Sequence, residues 1–208
     1  MTLDSYQFCP CGSGKKIKFC CSKDIVPEIE KVVRAIQGEQ RVSALDHLNK
    51  LLKEHGERLA LLAMKSEVQL ALEQTKDAEK TISRFLEAAP YNPVALALSA
   101  MIETGRGNLD AAVEQVQRGV EYVEQVFPEA LYSAIGVVGQ ALLQAGDVLA
   151  ARGHFLMQAG LVGDRDETPA VILTRINMLP EIPQLLKQDP AYAECPGMCP
   201  GAGSSMRR

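Results

Sequence analysis

The sequence predicts an all-α chain, an array of helical hairpins preceded by a small cysteine-rich module. Three observations carry that reading. Apolar residues recur with helical period, as at Val42, Leu45, Leu48, Leu51 and Leu52. Alanines at 44, 78, 112 and 151 follow short polar breaks at separations of 34, 34 and 39 residues. Four of the six cysteines fall within the first 21 residues. Composition agrees: the 208 residues are 47% hydrophobic, only 5% aromatic and lack Trp, which favours helices over strands. A charged fraction of 23% and a net charge of −4 argue against general disorder and against a broad nucleic-acid-binding surface.

The first element is the module, residues 1–24. It holds four Lys and two Asp, a balance of +2 against −6 for the remainder. From Phe8 it reads FCPCGSGKKIKFCC, so Cys9, Cys11, Cys20 and Cys21 are spaced C-x-C-x8-C-C. Four thiolates in so short a span suit one tetrahedral zinc ion, with bonds of about 2.3 Å. Pro10 stiffens the link between the first two ligands, and Gly12 and Gly14 permit left-handed backbone angles. A divalent ion with four thiolates is left anionic, and Lys15, Lys16 and Lys18 sit where they can offset it. Phe8, Ile17 and Phe19 are the expected apolar cover. With four ligands no position remains for a reacting water, so the expected ion is structural. Iron, or unmetallated thiols, would satisfy the same spacing.

This segment closely resembles the SEC-C motif, the small zinc-binding module found at the carboxyl end of the SecA translocase ATPase. The resemblance covers Phe8 to Ser22 in residue type and spacing. It implies that Cys9, Cys11, Cys20 and Cys21 are the metal ligands. In SecA the module contacts the SecB chaperone and the ribosome. Here no P-loop accompanies it, since GSGKK lacks the required spacing and hydroxyl. Lys15, Lys16, Lys18 and Lys23 form the expected partner-docking patch.

The body, residues 25–180, divides into helix pairs: Pro27–Glu54, Glu57–Ala88, Pro93–Val126 and Pro128–Leu161. A further helix near Glu167–Met178 is expected to cap them. The 39-residue step implies that the helix from Asp110 runs about one turn long, to Val126, before Pro128 restarts the chain. A 34-residue period with an Ala near the start of each second helix resembles the tetratricopeptide repeat. The resemblance implies a right-handed solenoid with a peptide-binding concave face. A non-repeating bundle is the other fold open to these spacings. Mapped onto this chain, the concave positions are Ala60, Ala63, Glu67 and Leu70, then Val94, Ala97, Met101 and Thr104, then Ser133, Gly136, Gln140 and Leu143. Few are charged, so a hydrophobic or helical segment is the expected occupant.

No enzyme is expected. His47 and His154 occupy equivalent places three residues after repeat alanines, and no G-x-S-x-G or H-E-x-x-H sequence occurs. No apolar run reaches the ~18 residues needed to span a bilayer, and the start MTLDSYQFCP has no signal-peptide pattern, so a cytoplasmic protein is expected. Residues 181–208 carry Pro183, Pro190, Pro196 and Pro200, and an irregular tail is expected there, disordered from about Cys195. Cys195 and Cys199 form a weak C-x3-C pair. The array stops without a strongly polar cap, which suggests a lost carboxyl-terminal region.

The expected function is therefore a zinc-binding, non-enzymatic adaptor between proteins, in protein export, translation or chaperone traffic. The alternative is a zinc-dependent ribosome or nucleic-acid binder that uses the basic module. A protein or peptide partner is expected, with ribosome or RNA second. Neither membrane nor small-molecule substrate is expected.

Overall fold

A computed structural model of the chain describes residues 4–162, 168–180 and 182–188. Its elements are a short 3-10 turn, Ile17–Phe19, and ten helices: α1 Val26–Gln37, α2 Arg41–His55, α3 Leu59–Ala71, α4 Thr75–Ala88, α5 Pro93–Gly105, α6 Leu109–Glu121, α7 Glu129–Gln144, α8 Val148–Val162, α9 Thr168–Asn177 and α10 Ile182–Gln188. Consecutive helices pack as hairpins, α1 with α2 through α7 with α8. Hairpins then stack, with α2 against α3, α4 against α5, and α6 against α7.

The recurring alanines have the packing cause expected of them. Ala44, Ala78, Ala112 and Ala151 are each the fourth residue of α2, α4, α6 and α8, and each is wholly buried. The turns inside the hairpins recur with the same spacing. At each, a backbone N–H reaches five residues back: Gln40 to the Ala35 carbonyl (2.8 Å), Gln74 to Gln69 (2.9 Å), Asn108 to Glu103 (2.9 Å) and Asp147 to Leu142 (3.0 Å). The residue before each donor is left-handed: Glu39 (φ 57°), Glu73 (58°), Gly107 (79°) and Gly146 (87°). This is the Schellman ending, which satisfies carbonyls that the helix terminus leaves free.

The extra length before Pro128 is not helix. α6 ends at Glu121, and residues 122–128 form a loop. Tyr122, Val123, Val126 and Phe127 are poor helix formers, and the loop carries them beside the cysteine module, where Gln125 lies against Gly14.

The carboxyl-terminal expectation is also corrected in part. Residues 182–188 are helical, and Ile182 is buried with Ile176 and Phe155, so apolar packing holds the chain past Pro180. Glu167, Cys195 and Cys199 lie outside the described residues.

Candidate metal centre

The four cysteines of the module converge. Backbone hydrogen bonds Cys9 N–H to Lys15 O (2.8 Å) and Ile17 N–H to Gln7 O (2.9 Å) close a short antiparallel bridge between Phe8 and Lys16. Gly12 (φ 75°) and Gly14 (φ 68°) make the tight return, as their flexibility predicts. The Ile17–Phe19 turn then delivers Cys20 and Cys21 beside Cys9 and Cys11. All four sulfurs lie within 4.8 Å of one another, with Cys11 to Cys20 at 3.4 Å and Cys9 to Cys21 at 3.7 Å. A tetrahedral ion with Sγ bonds of about 2.3 Å needs sulfurs about 3.8 Å apart. The cluster therefore fits a metal held by four thiolates.

Two hydroxyls border the sulfurs. Ser13 Oγ lies 3.2 Å from Cys11 Sγ and 3.1 Å from Cys20 Sγ. Ser22, wholly buried, lies 3.3 Å from Cys9 Sγ. Without an ion the thiols share protons unequally. The hydrogen bond from Cys11, then that from Cys9, holds Cys21 down at about 2 against the opposing effect of burial, and the Ala60 N–H assists. Cys11 is correspondingly pushed up by its bonds to Cys21 and Cys9 and by burial. Cys9 is lowered by Cys11, but its bond to Cys21 and burial outweigh this and push it up to about 12. Metal binding must displace protons from Cys9 and Cys11, so affinity rises with pH.

The module is docked, not free. Cys9, Cys11 and Ile17 share one apolar core with Ile25, Ile29, Leu48 and Leu61, so packing is continuous across residue 24. Two helix starts hold it. Asn92 caps α5, its Oδ1 accepting from Val94 N–H (2.9 Å) and Ala95 N–H (3.1 Å), while its Nδ2 donates to the Cys11 carbonyl (2.7 Å). Arg58, at the start of α3, donates to the Cys21 carbonyl (2.8 Å) and pairs with both Asp24 oxygens. At Gly12 an added Cβ would lie 2.3 Å from Val94 Cγ2. That close approach, as well as the positive φ, requires glycine.

The expected cover and groove are revised. Ile17 is buried, but Phe8 and Phe19 are 44% and 70% exposed, so neither seals the cluster. Phe19 turns outward, with Lys18 Nζ over its ring (4.6 Å) and over that of Tyr6 (3.6 Å), and Lys16 Nζ also over Tyr6 (5.7 Å). Lys15, Lys16 and Lys23 are exposed and Lys18 half-buried. Of the residues mapped to the concave face, Ala60, Ala63, Val94 and Ala97 are buried in helix–helix or module contacts. An added Cβ at Gly136 would meet Gln158 Nε2 of α8 at 2.4 Å, so Gly136 faces its hairpin partner. Leu70, Met101 and Leu143 pack partly against the core, and Thr104 Oγ1 bonds to the Ala100 carbonyl (2.8 Å). Ser133 is half-buried and Gln140 exposed. Glu67 is exposed and, with the buried Val94, lines the cleft beside the module.

Ser13, Ser22, Arg58 and Asn92 are the site residues that the sequence pattern did not single out. Ser13 and Ser22 adjoin ligands in sequence and carried a usable signal. Arg58 and Asn92 act across 37 and 81 residues, which no local pattern reveals.

Compared with known proteins, the chain matches no family model, no curated protein and no solved structure at a significant level. What stands is a four-cysteine cluster, a possible metal site, on an array of packed helix pairs. No helix among the described residues is long and apolar enough to cross a membrane.

Proposed function

We propose that this chain is a non-enzymatic, zinc-dependent adaptor of the cytoplasm, pairing a SEC-C-like module with a tetratricopeptide-like array to join protein partners. The observation that carries the reading is the module's two-sided construction. One side is fixed to α3 and α5 through Arg58 and Asn92. The other presents Tyr6, Phe8 and Phe19, all exposed, among Lys15, Lys16 and Lys18. Exposed aromatics beside cations are contact chemistry that internal packing does not require. Zinc is favoured because four thiolates at tetrahedral spacing suit it, and a ligand set of four leaves the ion structural.

The same aromatic and basic face supports a second reading, binding of ribosomal or other single-stranded RNA, where bases stack on rings and lysines meet phosphates. Affinity capture from lysate with mass spectrometry tests the adaptor, comparing wild type with Lys15→Glu/Lys18→Glu/Phe19→Ala, which leaves the cysteines intact. The adaptor reading expects specific protein partners lost from the variant. Identical partner lists would refute a docking role for this face. Recovery of RNA alone, with affinity that falls steeply as salt rises, would favour the second reading.

A further inference from the structure

Ser22 is the one wholly buried polar side chain of residues 4–24, and it follows the last cysteine of the cluster. Its main chain is tied to the start of the array. The Ser22 carbonyl accepts from Ile25 N–H (3.2 Å), and Ile25 is wholly buried where α1 begins. The side chain points back into the cluster, with Oγ 3.3 Å from Cys9 Sγ and 3.8 Å from Cys21 Sγ. Among the described residues these two sulfurs are the only hydrogen-bond partners of that hydroxyl.

The four sulfurs do not share one environment. Cys20 and Cys21 are half-buried, so water reaches them, and the Ser13 hydroxyl lies between Cys11 and Cys20. Cys9 is only 4% exposed, and Ser22 is its one hydroxyl neighbour. A thiol can donate or accept a proton, whereas a metal-bound thiolate can only accept. Once Cys9 and Cys21 are thiolates, the Ser22 proton has only sulfur to meet, and a buried hydroxyl left without an acceptor is costly. The direction of the bond is thereby fixed. Ser22 donates, and Cys9, which water barely reaches, gains a donor that carries part of its charge. That matters because four thiolates leave a divalent ion with an excess of negative charge.

We propose that Ser22 is a positioning residue for the metal centre: its buried hydroxyl donates to the Cys9 thiolate, fixes that sulfur and spreads its charge, so that the cluster holds a divalent ion away from water. The inference rests on the zinc reading proposed above and adds to it a residue that binds no metal itself. Groups that hydrogen-bond to metal ligands typically raise affinity about tenfold to a hundredfold.

The test uses the purified full chain as wild type, Ser22→Ala and Ser22→Thr, loaded with zinc to read affinity and with cobalt(II) to read the sulfur-to-metal charge-transfer bands. Competition with a chelator should show the Ala variant binding zinc about tenfold to a hundredfold more weakly. Its cobalt bands should move to longer wavelength, because a thiolate that has lost a donor gives up electron density more readily. Ser22→Thr keeps the hydroxyl and should keep the wild-type bands, whatever its extra methyl does to affinity. A side chain that only fills space would weaken binding and leave the bands where they are. An Ala variant with wild-type affinity, an Ala variant with unmoved bands, or a Thr variant with the bands of Ala would each overturn the proposal. Should the Ala variant take up no cobalt, the Thr variant decides: wild-type bands support the hydroxyl, and failure to load overturns it. A wild-type chain that takes up neither metal fails the zinc reading and this inference with it. A wild type that binds zinc beside an unaltered Ala variant fails this inference alone.

Discussion

The cysteine module and the helical array are held together by different physics. In the array, helices bury a periodic apolar stripe, as Ala78, Ile82 and Phe85 do in α4, or most of their surface, as α3 and α5 do. Residues 4–24 bury little beyond Cys9, Cys11, Ile17 and Ser22. Their shape comes from sulfur contacts, two left-handed glycines and borrowed hydrogen bonds from α3 and α5. The array can supply its own folding free energy; residues 4–24 depend on the surface beneath them and, on the reading proposed above, on an ion.

The largest expected effect follows from removing the ion. Structural zinc contributes on the order of 10–16 kcal/mol to small cysteine modules. Chelation, or Cys11→Ser, should unfold residues 4–24 while most of the 222 nm helical signal survives; collapse of the array with it would break the contrast. Next comes Gly12→Ala, which combines a strained φ with a Cβ 2.3 Å from Val94 Cγ2. We expect a loss of about 2–3 kcal/mol by chemical denaturation and faster amide exchange in the module. Asn92 separates the module contact from the array contact. Asn92→Asp keeps the cap on α5 but cannot donate to the Cys11 carbonyl, whereas Asn92→Ala loses both. The expected costs are about 1 and about 2 kcal/mol, read from denaturation midpoints.

Two smaller effects lie within the array. Glu73 occupies the left-handed turn position that Gly107 fills in the next hairpin, so Glu73→Gly should stabilise by up to about 1 kcal/mol. Glu67 is raised from 4.5 to about 7, so between those values the unfolded chain is ionised while the folded one keeps its proton. Stability therefore falls as pH rises through that window and stays lower above it. Glu67→Gln should raise the melting temperature at pH 8 and leave it unchanged at pH 4; the opposite order would show that Glu67 has a cationic partner.

Much of this was legible in the sequence, for reasons specific to each element. The four buried alanines and the turns beside them repeat because close helix pairing imposes the same demand in each hairpin, so hairpins could be placed from spacing alone. The cysteines were legible because tetrahedral ligation restricts their spacing. The docking of the module was not. Asn92 reads as a helix cap and Arg58 as a surface cation until the fold brings Cys11 and Cys21 to them. Ala63 and Ala97 read equally well as groove or core, since a small residue permits close approach on either face; the structure puts them in the core. The stretch up to Val126 reads as helix because the 39-residue step leaves about one turn more than the 34-residue period before Pro128, and length alone does not distinguish a helical turn from a loop.

X-ray absorption at the zinc edge, with metal content measured on the purified full chain, tests the central claim most directly. The account predicts one zinc per chain surrounded by four sulfurs at about 2.3 Å. A chain that carries no metal, or a zinc with oxygen or nitrogen among its ligands, would contradict it.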